Sequence, residues 1–181
     1  MDTEKPDLLH ALEHYQQRYN WDCGLSCVLM VLPIKSRNYI INNFKQVVEE
    51  EGFGESTWTI DLCFLLHRFQ TKFSYLTVTI GIDPGYIREN FYDKVLSKDS
   101  HRVNQRFSDA ESLGMHLEKK SVPVKEIMER LKAGPIIVLV NANQLICVTC
   151  SDFSYTCYTS CLRLCTNSYQ GHYIVLIGTN R

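Results

Sequence analysis

A thiol at the start of a helix is a candidate nucleophile, and the sequence puts one there. The run Gln17-Arg18-Tyr19-Asn20-Trp21-Asp22-Cys23-Gly24-Leu25-Ser26-Cys27 leads into Leu25, Val28, Leu29 and Leu32. Those four stand at the i, i+3, i+4, i+7 spacing of an amphipathic helix. Asp22 is expected as its N-cap, its carboxylate accepting an orphan backbone N–H. Cys23 then falls in the first turn, where the positive end of the helix dipole favours the thiolate, the form that does cysteine chemistry. Gln17, upstream of Cys23, carries a side-chain N–H that could hold the oxyanion formed when a thiolate attacks a carbonyl. The competing reading is packing, since unpaired cysteines are among the most buried residues.

A cysteine nucleophile needs a base within hydrogen-bonding reach, usually a histidine distant in sequence. His172 fits, because it opens the apolar run Tyr173-Ile174-Val175-Leu176-Ile177. At the entrance of a buried strand its ring can face a cleft. The bland alternative is a polar strand end with no role. Cys27 lies one helical turn after Cys23 and is expected to pack, standing as the fallback nucleophile. A third group to orient the histidine has one candidate after it, Asn180. Loss of such an orienting group costs ~10⁴ in rate in the serine-protease precedent.

Other chemistries find less support. Asp61 and Asp83 are isolated, and there is no Gly-rich phosphate loop, so two-metal nucleotide chemistry has no spaced carboxylate pair to build on. Asp61 is better read as favouring a helix start. Cys147-x2-Cys150 followed by Cys157, Cys161 and Cys165 could supply four thiolates to zinc. The second half lacks a clean Cys-x2-Cys, so an ordinary Cys-rich strand pair or loop is preferred. Cys63 and His67 share a helix and are read as structural or surface residues; His10 and His14 are read as solvated. No metal and no cofactor are expected.

The elements that must position these groups follow from periodicity and punctuation. Residues 1–13 are expected as a flexible arm, and 14–181 as a single domain. After the Cys23 helix, stopped at Pro33, a second helix capped by Ser36 or Asn38 should carry Ile40, Ile41, Phe44, Val47 and Val48 to Gly52 and Gly54. A third, from Thr57, carries Leu62, Leu65, Leu66 and Phe69. Phe73 to Ile80 is expected as a strand, Asp83-Pro84-Gly85 as a turn, and Tyr86 to Leu96 as a helix. Val103, Phe107, Ala110 and Leu113 form a further helix closed by Gly114, with a short strand over Met115 to Glu118. Val124, Ile127, Met128 and Leu131 give a last helix ending at Gly134-Pro135. Ile136 to Val140 and the His172 run are then strands buried on both faces. Helices come first and core strands late, which suits the α+β class.

With 19 basic and 20 acidic residues the formal net charge is −1. Nothing therefore favours nucleic acid or an anionic membrane as partner. The polar start lacks the n- and h-regions of a signal peptide, and Ile136 to Val140 is too short to span a bilayer. The expectation is a soluble protein of the cytoplasm, with the nucleus also open, whose eight cysteines are thiols rather than disulfides. Its partner is expected to be a protein or peptide.

The Gln17–Cys23-Gly24 pattern resembles the entry of papain-like cysteine peptidases, in particular those that cleave double-glycine leader peptides. Together with Trp58-Thr59-Ile60-Asp61-Leu62 and Gly171-His172-Tyr173-Ile174-Val175-Leu176, it resembles the guanylyl cyclase domain-containing family over nearly the whole chain. The resemblance implies a papain-like fold, a helical half with the Cys helix packed on a mainly antiparallel sheet. It also implies a histidine base at His172, with the family continuing past Arg181, so that the chain would lack its last strands. Three functions are weighed on this basis. They are a cysteine hydrolase using Cys23, His172 and Gln17, a non-catalytic binding module of the same fold, and a guanylyl cyclase as the family name implies.

Overall fold

The computed structural model describes residues 8–53, 56–82, 93–145 and 169–179. Within them the chain is α+β, with helices forming the larger part and strands joined in pairs. Helix α1 (Cys23–Val31) starts at the thiol and buries Leu25, Val28 and Leu29 completely. Pro33 disfavours helical backbone at the residue before it, and Leu32 is accordingly extended, at φ −73° and ψ 148°.

The second expected helix is two. Helix α2 (Ile34–Asn42) follows Pro33 directly, so Ser36 and Asn38 lie inside it and cap nothing. It breaks at Asn43, whose backbone N–H and side-chain amide both donate to the Tyr39 carbonyl, at 3.0 and 2.9 Å. A side chain competing for helix carbonyls interrupts the ladder, and the chain restarts as α3 (Phe44–Glu50). Gly52 then takes φ +64°.

Helix α4 (Thr59–Arg68) opens with the Trp58 backbone N–H donating to Asp61 Oδ2 at 2.9 Å, which bears out the helix-start reading of Asp61. Strand β2 (Tyr75–Thr77) pairs in parallel with β3 (Leu117–Lys119), and α5 (Asp93–Ser112) belongs to the connection between them. Of the expected Tyr86–Leu96 helix, residues 83–92 lie outside the described set; from Asp93 onward the backbone is continuous with the next helix. Gly114, at φ +72°, closes α5 as expected.

The charged core of the helical half was not expected. Asp61 is fully buried and takes ion pairs from two guanidinium groups of α5, Arg102 and Arg106, the latter at 2.8 Å. Arg106 also reaches Glu51 Oε2 at 2.9 Å and the Glu51 carbonyl at 2.8 Å. One carboxylate thus joins the start of α4 to α5, and one arginine joins both to the end of α3.

Helix α6 (Val124–Leu131) buries only Leu131, and leads to β4 (Ile136–Asn141). Strand β4 pairs antiparallel with β5 (Gly171–Leu176), Val140 opposite His172 and Ile136 opposite Leu176. Both strands were expected to be buried on two faces; they are mostly half-buried, with Leu139 38% exposed and Tyr173 buried. Among the described residues each pairs only with the other, and α1 packs on one side of them. The expected loose arm is docked from Leu8. Strand β1 (Leu8–Leu9) pairs with β6 (Gly178–Thr179), the His10 ring contacts the Leu131 carbonyl at 2.6 Å, and Glu13 pairs with Arg37 at 2.8 Å.

Helix α1 meets β5 and α4 at Gly24. A Cβ there would stand 2.9 Å from Tyr173 Cδ2 and 3.0 Å from Leu62 Cδ1. The Tyr173 ring cannot swing away easily, since its hydroxyl is bonded to Thr59 Oγ1 at 2.8 Å. Glycine to alanine normally strengthens a helix interior by up to ~1 kcal/mol. Here the clash should outweigh that gain. Gly24→Ala is expected to destabilise the protein by ~1–3 kcal/mol, the range for an over-packed core, read as a lower urea midpoint at unchanged m-value.

Candidate functional site

A pocket of about 410 Å³ opens between the docked N-terminal segment, α1 and β5. Gln17, Cys23 and His172 all line it. The three residues come from three parts of the chain, and the fold gives each its place. Gln17 sits in the turn before α1, Cys23 is the first residue of that helix, and His172 is the second residue of β5, next to the buried Tyr173. All three are half-buried. Among the described residues no hydrogen bond joins the Cys23 sulfur to the His172 ring. Catalytic hydrogen bonds are often long before a substrate closes the site.

Two details differ from expectation. Asp22 stands at the N-cap position, but its carboxylate turns backward and accepts from the backbone N–H groups of Arg18 (3.1 Å) and Tyr19 (3.0 Å). It is buried there, so its role is to fold the Gln17–Asp22 turn rather than to cap the helix. Gln17 Nε2 donates to the Tyr19 carbonyl at 2.8 Å. An amide nitrogen carries two hydrogens, so one is committed to the turn and one is left to point elsewhere. Tyr19 and Trp21 stack at 5.6 Å on the same turn.

Cys27 is buried, and burial together with the neighbouring Cys23 pushes its thiol up to about 12. It is a packing residue, as expected, and a poor substitute for Cys23. Cys63 is likewise buried, and desolvation followed by the nearby Asp61 charge pushes it up to about 12.

The pocket recruits residues that periodicity had not singled out. Cys23, Ser26, Cys27 and Met30 share it, at a second i, i+3, i+4, i+7 stripe offset from the core stripe of the same helix. That offset was visible in the sequence and is the signal that could have found them. Tyr15 and His14 line it from the docked segment, and His14 is exposed there, as expected of a solvated histidine.

Asp61 is fixed by its two arginines and is not free to hold an ion. Among the described residues no group of three or more His, Cys, Asp or Glu side chains could hold a metal. Asn180, Asp83 and the cysteines from Cys147 to Cys165 lie outside the described residues. No described helix is long and apolar enough to cross a membrane.

A family described as guanylylate cyclase matches residues 12–181. The chain belongs to that family. Guanylyl cyclase 1 of Arabidopsis thaliana is 35% identical over 180 residues, covering 98% of this chain and 63% of the relative. The chain thus spans less than two thirds of that relative's length. No solved structure matches. The family match includes every pocket residue from Leu12 onward, so the Cys23 helix and the His172 strand both fall within the guanylylate cyclase region.

The raised thiols set a pH dependence. Cys27 and Cys63 remain protonated in the folded protein above their ordinary 9.0 and up to about 12, whereas the unfolded chain ionises near the ordinary value. The unfolded state then binds fewer protons, so stability is full below about pH 9 and falls as pH rises toward about 12. Native protein at pH 8 is expected to leave Cys27 and Cys63 unmodified by iodoacetamide, with both labelled once urea is added; peptide mass mapping reads the result.

Proposed function

We propose that the chain carries a thiol-based acyl-transfer site of the papain-like type, acting on an amide, isopeptide or related acyl bond. The observation that carries this reading is the meeting of Gln17, Cys23 and His172 around one pocket. Cys23 attacks the carbonyl carbon and its proton passes to His172. The Gln17 amide donates to the oxyanion. The C–N bond then breaks, His172 returns the proton to the leaving amine, and water releases the acyl group from sulfur. The helical half packed against the β4–β5 pair supports the same reading at the level of architecture. A protein or peptide substrate suits an open pocket with neither Lys nor Arg on its walls to balance a triphosphate.

A second reading rests on the family's description and the name of the Arabidopsis relative, which point to cyclisation of GTP. In that reaction the ribose 3′ oxygen attacks the α-phosphorus and pyrophosphate leaves. Carboxylates holding divalent ions near the triphosphate would be needed, and neither Asp nor Glu lines the pocket. We therefore place it second. A protein that keeps the pocket only for binding is the third.

The thiol reading is tested by the rate of Cys23 alkylation with iodoacetamide, followed by mass spectrometry. His172→Ala is expected to slow it at least ~10-fold, at the low end for a missing base. A rate unchanged in that variant would sink the Cys–His pair. The purified protein incubated with GTP and Mg²⁺ or Mn²⁺ is expected to form no cyclic GMP; formation of nucleotide in proportion to protein would promote the second reading.

A further inference from the structure

The pocket meets β5 along its edge. His172, Tyr173, Ile174 and Val175 all line it. Successive strand side chains point to opposite faces, so a wall that touches His172 through Val175 without a skip follows the backbone. In an antiparallel pair, residues alternate between exchanging both hydrogen bonds with the partner strand and turning both groups outward. The Ala142 N–H donates to the Gln170 carbonyl at 2.8 Å, in register with the β4–β5 ladder. His172, Ile174 and Leu176 therefore bond to β4, while Tyr173, Val175 and Ile177 turn outward. The same alternation shows on the other side, where the His10 N–H donates to the Ile177 carbonyl at 2.6 Å.

The N-terminal segment starts along that outer edge and then leaves it. Its register, Leu8 opposite Thr179 and Leu9 opposite Gly178, would carry Leu12 to Val175 and His14 to Tyr173. Among the described residues no backbone hydrogen bond joins 11–17 to 171–176. Contacts on the far side hold the segment away. Glu13 pairs with Arg37 at 2.8 Å, and the guanidinium groups of Arg18 and Arg37 each lie 5.7 Å from the Tyr15 ring centroid. The gap so kept open is the pocket. The outward N–H and C=O of Val175 and Tyr173 have no backbone partner among the described residues. Val175, half-buried, is the more open of the two.

The side chains around the gap do not converge on one chemistry. They include the imidazoles of His14 and His172, the Gln17 amide, the Cys23 thiol and the Met30 thioether. What recurs is main-chain donors and acceptors at strand spacing, which an extended polypeptide matches. The same edge already takes a strand at Gly178–Thr179, so a guest would continue an existing ladder.

We propose that an extended segment of a peptide or protein partner adds as a strand to the outer edge of β5 at Val175 and Tyr173, between β5 and residues 12–17. This rests on the thiol reading for Cys23 and adds to it the form in which the substrate is held. The guest is recognised first by its main chain, and its carbonyl comes to the thiol that lines the same gap.

N-chloroacetyl-tetra-alanine amide coupled to Cys23, with the site verified by peptide mass mapping, tests this without asking His172 to act as a base. Four extended residues span about 13 Å, enough to lie beside both Tyr173 and Val175. Amide hydrogen exchange is read by NMR and compared with protein capped by chloroacetamide. In the capped protein the Val175 amide is expected to exchange faster than that of Ile174, which is bonded to β4. The peptide should slow Val175 at least about tenfold, the scale of one hydrogen bond, and leave Ile174 unchanged. Only alternate guest residues turn their N–H toward β5. N-methylation of the first and third alanines, or of the second and fourth, should therefore abolish the slowing for one set and spare it for the other. The proposal is overturned by no slowing, by slowing that survives both methylated sets or is lost with both, or by a Val175 amide as protected as Ile174 before the peptide is attached. The thiol reading fails separately, through a Cys23 alkylation rate indifferent to His172→Ala. The alternating pattern in a protein that shows that indifference would mark a strand-binding groove without Cys–His chemistry.

Discussion

The contact between Gly24 and Tyr173 governs the geometry of the pocket. Only a residue without a side chain lets the first turn of α1 come this close to β5. The residue before Gly24 is Cys23 and the residue before Tyr173 is His172. The contact therefore sets the separation of the two groups assigned to thiol chemistry. Thr59 fixes the tyrosine from α4, so a second helix of the helical half takes part in the same arrangement. Close packing of this kind allows few intermediate positions; the pocket is formed or it is not.

The helical half that presents α1 is itself held by charge as much as by apolar contact. Leu25, Leu29, Ile40, Val47 and Leu65 make the dry part of the core. Beside a second apolar cluster built on Ile60 and Val103, Asp61 sits with no exposure between two arginines. Such a buried pair adds little net stability over an apolar core, yet removing one partner leaves an uncompensated charge. Its value is in register: it admits one alignment of α5 against α3 and α4. The same arrangement uses up the carboxylate that a nucleotide-cyclising reading would most have wanted.

Much of this was legible in the sequence where local rules act alone. The core stripe of α1, the stop at Pro33, the helix start at Asp61 and the closing role of Gly114 all follow from spacing and backbone chemistry. The elements bearing Cys23 and His172 were legible for the same reason. What failed depended on distant partners. The arm at Leu8 looks loose because its partner, Gly178–Thr179, lies at the other end of the chain. Asp22 looks like a cap because nothing local says that its carboxylate will turn back to Arg18 and Tyr19. The break at Asn43 is local, but a single asparagine inside an apolar periodicity is usually tolerated. Ser26 was passed over because serine in a helix carries no signal until its surroundings are known to be closed.

The wide separation of α1 and β5 along the chain has a consequence for biogenesis. Ribosomes add ~5–20 residues per second, so α1 emerges on the order of ten seconds before the strand that carries His172. During that interval the Cys23 thiol and the pocket-side stripe lack their lid, and the close packing around Gly24 has no partner ring. The contacts that complete the pocket have high sequence separation and are the slow kind to form. The nascent chain thus passes through a stage in which the cysteine exists without its histidine. Whatever chemistry the pair performs is withheld until β5 has been made, and a chain halted before β5 would expose an apolar helix for chaperones to hold.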